Sequence, residues 1–142
     1  MEKFFIFMSE QWLLVSAIAA AVWALVWLEN RRAGTSLSPH ALTALVNSED
    51  AVVVDLREKP DFDNGHIVDA INLPYSKWQS QQSAGSTELD DKRDKPVILV
   101  CKMGQQATAV ARKLSASGHP SVYRLSGGLM EWQGAQMPLV KS

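Results

Sequence analysis

The hydrophobic pattern divides the chain in two. From Trp12 to Leu28 the sequence WLLVSAIAAAVWALVWL carries no charge, only Ser16 as a polar member, and no polar stripe. A helix packed in a soluble core keeps one polar face, so this run predicts a membrane-spanning helix over about 12–28. At about 1.5 Å per residue it reaches roughly 25 Å, slightly less than a hydrocarbon core of about 30 Å. Residues 4–8 (FFIFM) extend it if Ser9, Glu10 and Gln11 are tolerated at the interface. Trp12 and Trp27 stand near the two ends, where amphipathic rings favour the headgroup level. A cleaved leader fits less well, because Glu29, Asn30, Arg31 and Arg32 follow where small residues would mark a cut site.

After residue 32 the pattern changes to short apolar runs alternating with helical periods. Residues 33–36 (AGTS) read as a short joint. Ser38-Pro39 reads as an N-cap with proline at the first helical position, and Ala41, Leu42, Leu45 and Val46 supply an apolar helical face. Residues 51–54 (AVVV), ending at Asp55, and 97–100 (VILV), ending at Cys101, are continuous apolar runs of the kind found in strands buried on both faces. Residues 122–125 predict a third strand and 70–73 a short fourth. Residues 106–117 (QATAVARKLSAS) read as a helix stopped by Gly118, and the polar stretch 83–95 as an exposed excursion. Strands alternating with helices predict an α/β domain with a mostly parallel sheet flanked by helices. The organisation expected is an anchor over 1–32, a joint over 33–36 and one domain over 37–142.

Composition narrows the function classes. Hydrophobic residues at 46% and charged residues at 20% fit a globular chain and exclude a disordered or fibrous one. Lys+Arg (14) nearly balances Asp+Glu (15), so no basic field calls for a nucleic-acid partner. One cysteine excludes an intrachain disulfide, and with three scattered histidines it argues against a metal site. Arg31 and Arg32 outweigh Lys3, itself offset by Glu2 and Glu10, which predicts a single-pass inner-membrane protein with its C-terminal domain in the cytoplasm. A lone thiol is also safer in that reducing compartment.

Chemistry concentrates at Cys101. Ligands in parallel sheets bind at the carboxyl ends of strands, where helix N-termini converge. Cys101 ends one such strand, and Lys102, Met103, Gly104 and Gln105 lead into a helix. Amides curled around the sulfur, together with the helix dipole, favour the nucleophilic thiolate. On local spacing alone, a small buried core cysteine explains the residue as well.

Three separated segments break that tie. Residues 53–58 (VVDLRE), Phe62 and residues 65–74 (GHIVDAINLP) resemble the N-terminal signature of rhodanese-like domains. Residues 125–128 (LSGG), Trp132 and residues 134–138 (GAQMP) resemble that family's C-terminal signature. Cys101, Lys102, Met103, Gly104, Gln105 and Gln106 fall where the family carries its active-site loop. The resemblance covers about residues 37–140, and the overall type is similar to membrane-tethered, single-domain bacterial rhodaneses.

The resemblance implies sulfur transfer. Cys101 would take sulfane sulfur from thiosulfate or a persulfide and pass it to a thiol or cyanide, and the amides of residues 102–106 would cradle the transferred atom. No cofactor is implied. The partners are a small sulfur donor, a thiol acceptor and the membrane, with a membrane or cytoplasmic protein acceptor left open. Asp55 and His66 would be supporting residues, Asp55 bonding across the loops and His66 tying a turn to the sheet. Arg57 would attract an anionic donor or, in preference, pair with Glu58 or Asp61. The loop departs from the family at Gln106 and Ala107, where many active members carry arginine followed by serine or threonine. Losing the guanidinium removes a fork for oxyanions and predicts weak use of thiosulfate. It also counts against phosphatase chemistry. The alternative is a rhodanese-homology module that binds a partner at the membrane without turnover.

Overall fold

The structure, a computed structural model, describes residues 1–32, 34–85 and 88–141, with side chains for all of these except residues 29–32 and 90. Ala33 of the predicted joint, Ser86 and Thr87 of the predicted excursion, and the side chains of Arg31 and Arg32 lie outside the described residues. Two compact units result, residues 1–31 and 32–142.

The first unit consists of helices α1 (Glu2–Glu10) and α2 (Trp12–Arg32). Among the described residues no single helix is long and apolar enough to cross a membrane. Glu2–Glu10 and Trp12–Leu28 meet that requirement only as a pair, bent by 71° at the break between them. The single transmembrane helix expected over 12–28 is therefore not shown; only the bent pair has the required length and composition. Residues 4–8 do not prolong the axis of α2, because α1 ends at Glu10 and the backbone turns at Gln11 (φ −109°, ψ 13°). Gln11 ends α1 by donating its N–H to the Phe7 carbonyl at 2.9 Å.

The second unit is a parallel sheet covered on both faces. Its elements are β1 (Thr35–Leu37), α3 (Pro39–Glu49), β2 (Val52–Asp55), α4 (Lys59–Asn64), β3 (Ile71–Asn72) and α5 (Tyr75–Ser83). A 3-10 turn (Glu88–Lys92), β4 (Val97–Val100), α6 (Gln105–Ala116), β5 (Val122–Leu125) and α7 (Gly128–Gly134) follow. The strand order is β1-β5-β4-β2-β3, with every pair parallel. The cap expected at Ser38 is present: its Oγ accepts the Ala41 N–H at 3.2 Å, and Pro39 opens α3.

Strand β4 explains why the continuous apolar runs read correctly. Successive side chains point to opposite faces. Val97 and Leu99 join the core under α5 and α6, with Trp78, Ala107, Val110, Ala111 and Leu114. Ile98 and Val100 join the core under α3 and α7, with Leu42, Leu129 and Trp132. All four β4 side chains are fully buried, which contributes roughly 6–12 kcal/mol as an upper estimate.

Two local expectations change. Thr35 and Ser36, read as part of a joint, are strand residues of β1, registered on Tyr123 and Arg124 of β5. The stretch 83–95 is not wholly an exposed excursion, since its 3-10 turn inserts Leu89 into the core beside Trp78. An isolated leucine among charges carries no period, but its burial seals that edge of the sheet.

Candidate functional site

Cys101 directly follows the central strand β4, so its place is fixed by the most buried strand of the sheet. The backbone then reverses through Lys102, Met103 and Gly104 into α6. Gly104 adopts φ +102° and ψ −10°, a left-handed geometry that glycine enters without strain. This turn aims two amides at the sulfur: Gly104 N–H donates to Cys101 Sγ at 2.9 Å and Ala107 N–H at 3.5 Å. The N-terminus of the twelve-residue helix α6 adds positive potential at the same point. Donors so placed stabilise negative charge on sulfur without reorganising.

A second turn backs the loop. Leu129 N–H donates to the Cys101 carbonyl at 2.9 Å and Met130 N–H to the Lys102 carbonyl at 3.2 Å. Gly128, at φ +62°, packs so closely that a Cβ there would meet both carbonyl oxygens, lying 2.6 Å from that of Lys102. Thr108 Oγ1 donates to the Gly104 carbonyl at 2.8 Å. Gly128 and Thr108 support the loop, and neither is among the site residues the sequence predicts. A Gly-Gly pair after a strand end was the available signal.

Cys101 opens onto a cavity of about 300 Å³ that brings together Arg57, Lys102, Met103, Gln105 and Gln106, with Leu56, Glu58 and Asp61 as further walls. An adjoining cavity of about 130 Å³ shares Arg57, Asp61 and Lys102 and continues toward Met130 and Gln133. Gln106 is exposed at the start of α6, so the cavity has a carboxamide there in place of a guanidinium.

Asp55 and His66 stand outside this lining. Asp55 is buried at the end of β2 and accepts the Arg57 backbone N–H at 2.9 Å and Arg57 Nε and Nη2 at 3.0–3.2 Å. Arg57 therefore pairs with Asp55 rather than with Glu58 or Asp61, and its Nη2 also donates to the Gly65 carbonyl at 2.5 Å. The buried carboxylate two residues upstream already holds the Arg57 amide, so the fork closes on it. Asn72 Nδ2 joins this knot by donating to the carbonyls of Asp55 and Arg57 at 3.2 and 2.9 Å. His66 stacks on Phe62 with centroids 3.9 Å apart, and its Nδ1 donates to the Phe62 carbonyl at 2.8 Å. The His66 backbone pairs with Val140 at 2.9 and 2.8 Å, so it ties its turn to the C-terminal segment rather than to the sheet.

Residues 38–135 match the Rhodanese-like domain family. The chain belongs to that family. A relative from Escherichia coli (strain K12), "Uncharacterized protein YibN", is 42% identical over 99 residues, covering 70% of this chain and 67% of that protein. The tRNA uridine(34) hydroxylase of Pectobacterium atrosepticum is 27% identical over 99 residues, 70% of this chain but 28% of that enzyme. Among solved structures, a thiosulfate sulfurtransferase from Pseudomonas aeruginosa superposes with a TM-score of 0.64 at 23% identity, covering 80% of this chain and 21% of that one. A rhodanese-related protein from Thermoplasma volcanium gives 0.60 at 22% identity, covering 76% and 99%. At these identities the structural likeness is one of fold. The rhodanese-like sheet flanked by helices is thus the architecture expected from the sequence.

Proposed function

We propose that this chain is a membrane-tethered sulfurtransferase carrying sulfane sulfur on Cys101. The observation that supports it most is the pair of amides, Gly104 and Ala107, directed at Sγ beside an open cavity. The Cys101 thiolate attacks the outer sulfur of thiosulfate or of a persulfide, the donor's S–S bond breaks, and sulfite or a thiolate leaves. An acceptor thiolate or cyanide then attacks the terminal sulfur of the Cys101 persulfide and regenerates the thiolate. Residues 102–106 cradle the transferred sulfur, and Asp55, Arg57 and His66 hold the surrounding loops. Helices α1 and α2 insert together as a broken span, with the catalytic domain on the cytoplasmic side of the inner membrane.

The test uses the full chain in mild detergent, with intact mass read after donor treatment and thiocyanate formation followed with cyanide. One added sulfur atom and turnover, both lost in Cys101→Ser, are expected, and Gln106→Arg raises thiosulfate use. Protease accessibility in inverted membrane vesicles tests the orientation. A second reading draws on the exposed Gln106 at the loop's last position: a module that binds partners without turnover. It becomes the better account if wild type gains no sulfur from thiosulfate or from a persulfide.

A further inference from the structure

The cavity over Cys101 has an uneven distribution of charge. The Arg57 guanidinium is matched by Asp55, which leaves Glu58, Asp61 and Lys102 to set the field at the rim. Glu58 is positioned by Ser76, whose Oγ donates to its carboxylate at 3.2 Å. Among the described residues neither the Asp61 carboxylate nor the Lys102 ammonium has a hydrogen-bond or ion-pair partner, and both residues stand where the two adjoining cavities meet. Two carboxylates against one free ammonium oppose a dianion such as thiosulfate, and Gln106 supplies no compensating charge. The same set complements a molecule bearing an ammonium and a carboxylate together.

We propose that this site selects a small amino-acid persulfide as donor, with Asp61 and Glu58 taking its ammonium and Lys102 its carboxylate. The inference rests on the sulfurtransferase reading above. A cavity of about 300 Å³ suits a ligand of that size, and the half-exposed Met103 offers an apolar wall to its methylene. In the transfer, Cys101 thiolate bonds to the outer sulfur of the donor R–S–SH. The donor's S–S bond breaks, and R–S⁻ leaves and is protonated to the free thiol. Sulfur moves between two thiols, and no external oxidant or reductant is consumed.

The test measures initial rates of Cys101 persulfide formation by intact mass on the reduced full chain in detergent. Four donors are compared: cysteine persulfide, N-acetylcysteine persulfide (no ammonium), cysteamine persulfide (no carboxylate) and thiosulfate. Cysteine persulfide is expected to load roughly two- to fivefold faster than either single-charge analogue, the upper part of the range that one exposed ion pair supplies. In Glu58→Gln/Asp61→Asn its advantage over N-acetylcysteine persulfide disappears, while thiosulfate and N-acetylcysteine persulfide both speed up. That acceleration also demonstrates a folded variant. Lys102→Met removes the advantage over cysteamine persulfide. Equal rates for the three persulfides, or a preference that survives these substitutions, would overturn the inference while leaving sulfur transfer intact. No sulfur gain from any donor would overturn both.

Discussion

Gly128→Ala tests how tightly the cysteine loop is wedged. At φ +62° alanine pays roughly 1–2 kcal/mol of left-handed strain. Its Cβ would also press on the carbonyl oxygens of Cys101 and Lys102, which belong to backbone and cannot swing aside. Forced overpacking of that kind adds roughly 1–3 kcal/mol. Gly85 provides the control, because it has φ +93° and nothing within 4 Å of a built Cβ. Gly85→Ala should therefore cost only the strain, and Gly128→Ala should cost more by roughly 1–3 kcal/mol. Urea unfolding of the full chain in detergent, read through the buried Trp78 and Trp132, measures both. Amide exchange should accelerate at Leu129 and Met130, whose N–H groups are bonded to those two carbonyls. Equal destabilisation by the two substitutions, or unchanged exchange at Leu129 and Met130, would refute the wedge.

Other consequences are as direct. Ser38→Ala removes the α3 cap and should lower stability by about 1 kcal/mol, seen as a drop in melting temperature of about 4–8 °C. Asp55→Ala leaves a largely buried Arg57 guanidinium without its carboxylate and should cost roughly 3–5 kcal/mol in urea unfolding, part of it recovered in Asp55→Ala/Arg57→Met. Hydrogen bonds from Lys77 and then Gln81 hold the Glu88 carboxyl below its ordinary 4.5. Its stabilisation is thus present above that value and is lost as pH falls through the folded-state value, so Glu88→Gln should flatten the acid limb of a stability–pH curve slightly. The Asp50 hydrogen bond raises Lys95 above its ordinary 10.5. That contribution is complete below 10.5 and fades as pH rises past the folded-state value, so Lys95→Met should remove a small part of the alkaline limb.

What could be read in advance follows from where the information lies. Strands β2 and β4 were legible because burial on both faces demands unbroken apolar residues, and α3 because its cap and proline are local. Strand β1 was not, because Thr-Ser-Leu becomes a strand only through β5, far away in sequence. Helix α5 (YSKWQSQQS) escaped notice for a related reason: Trp78 is its only buried side chain, so no period develops. At the site, the position of Cys101 and its loop could be read from strand end, glycine and helix start. The Arg57–Asp55 pairing could not be ranked above Glu58 or Asp61, since the choice depends on Asp55 being buried with its carboxylate already on the Arg57 amide. The bend between α1 and α2 likewise depends on backbone geometry that hydropathy does not encode.

The strand order has a consequence for how the protein is made. Edge strand β1 pairs only with β5, and their registered residues Thr35 and Tyr123 are 88 positions apart. Synthesis at about 5–20 residues per second leaves β1 without its partner for roughly 4–18 s after it is polymerised. Throughout that interval its amides and carbonyls are open to water or to foreign strands. Pairings this distant also slow the final search, because loop closure must precede any reward. The nascent chain therefore carries an incomplete sheet at least until β5 has been made, and factors that shield unpaired strands during translation should raise its yield.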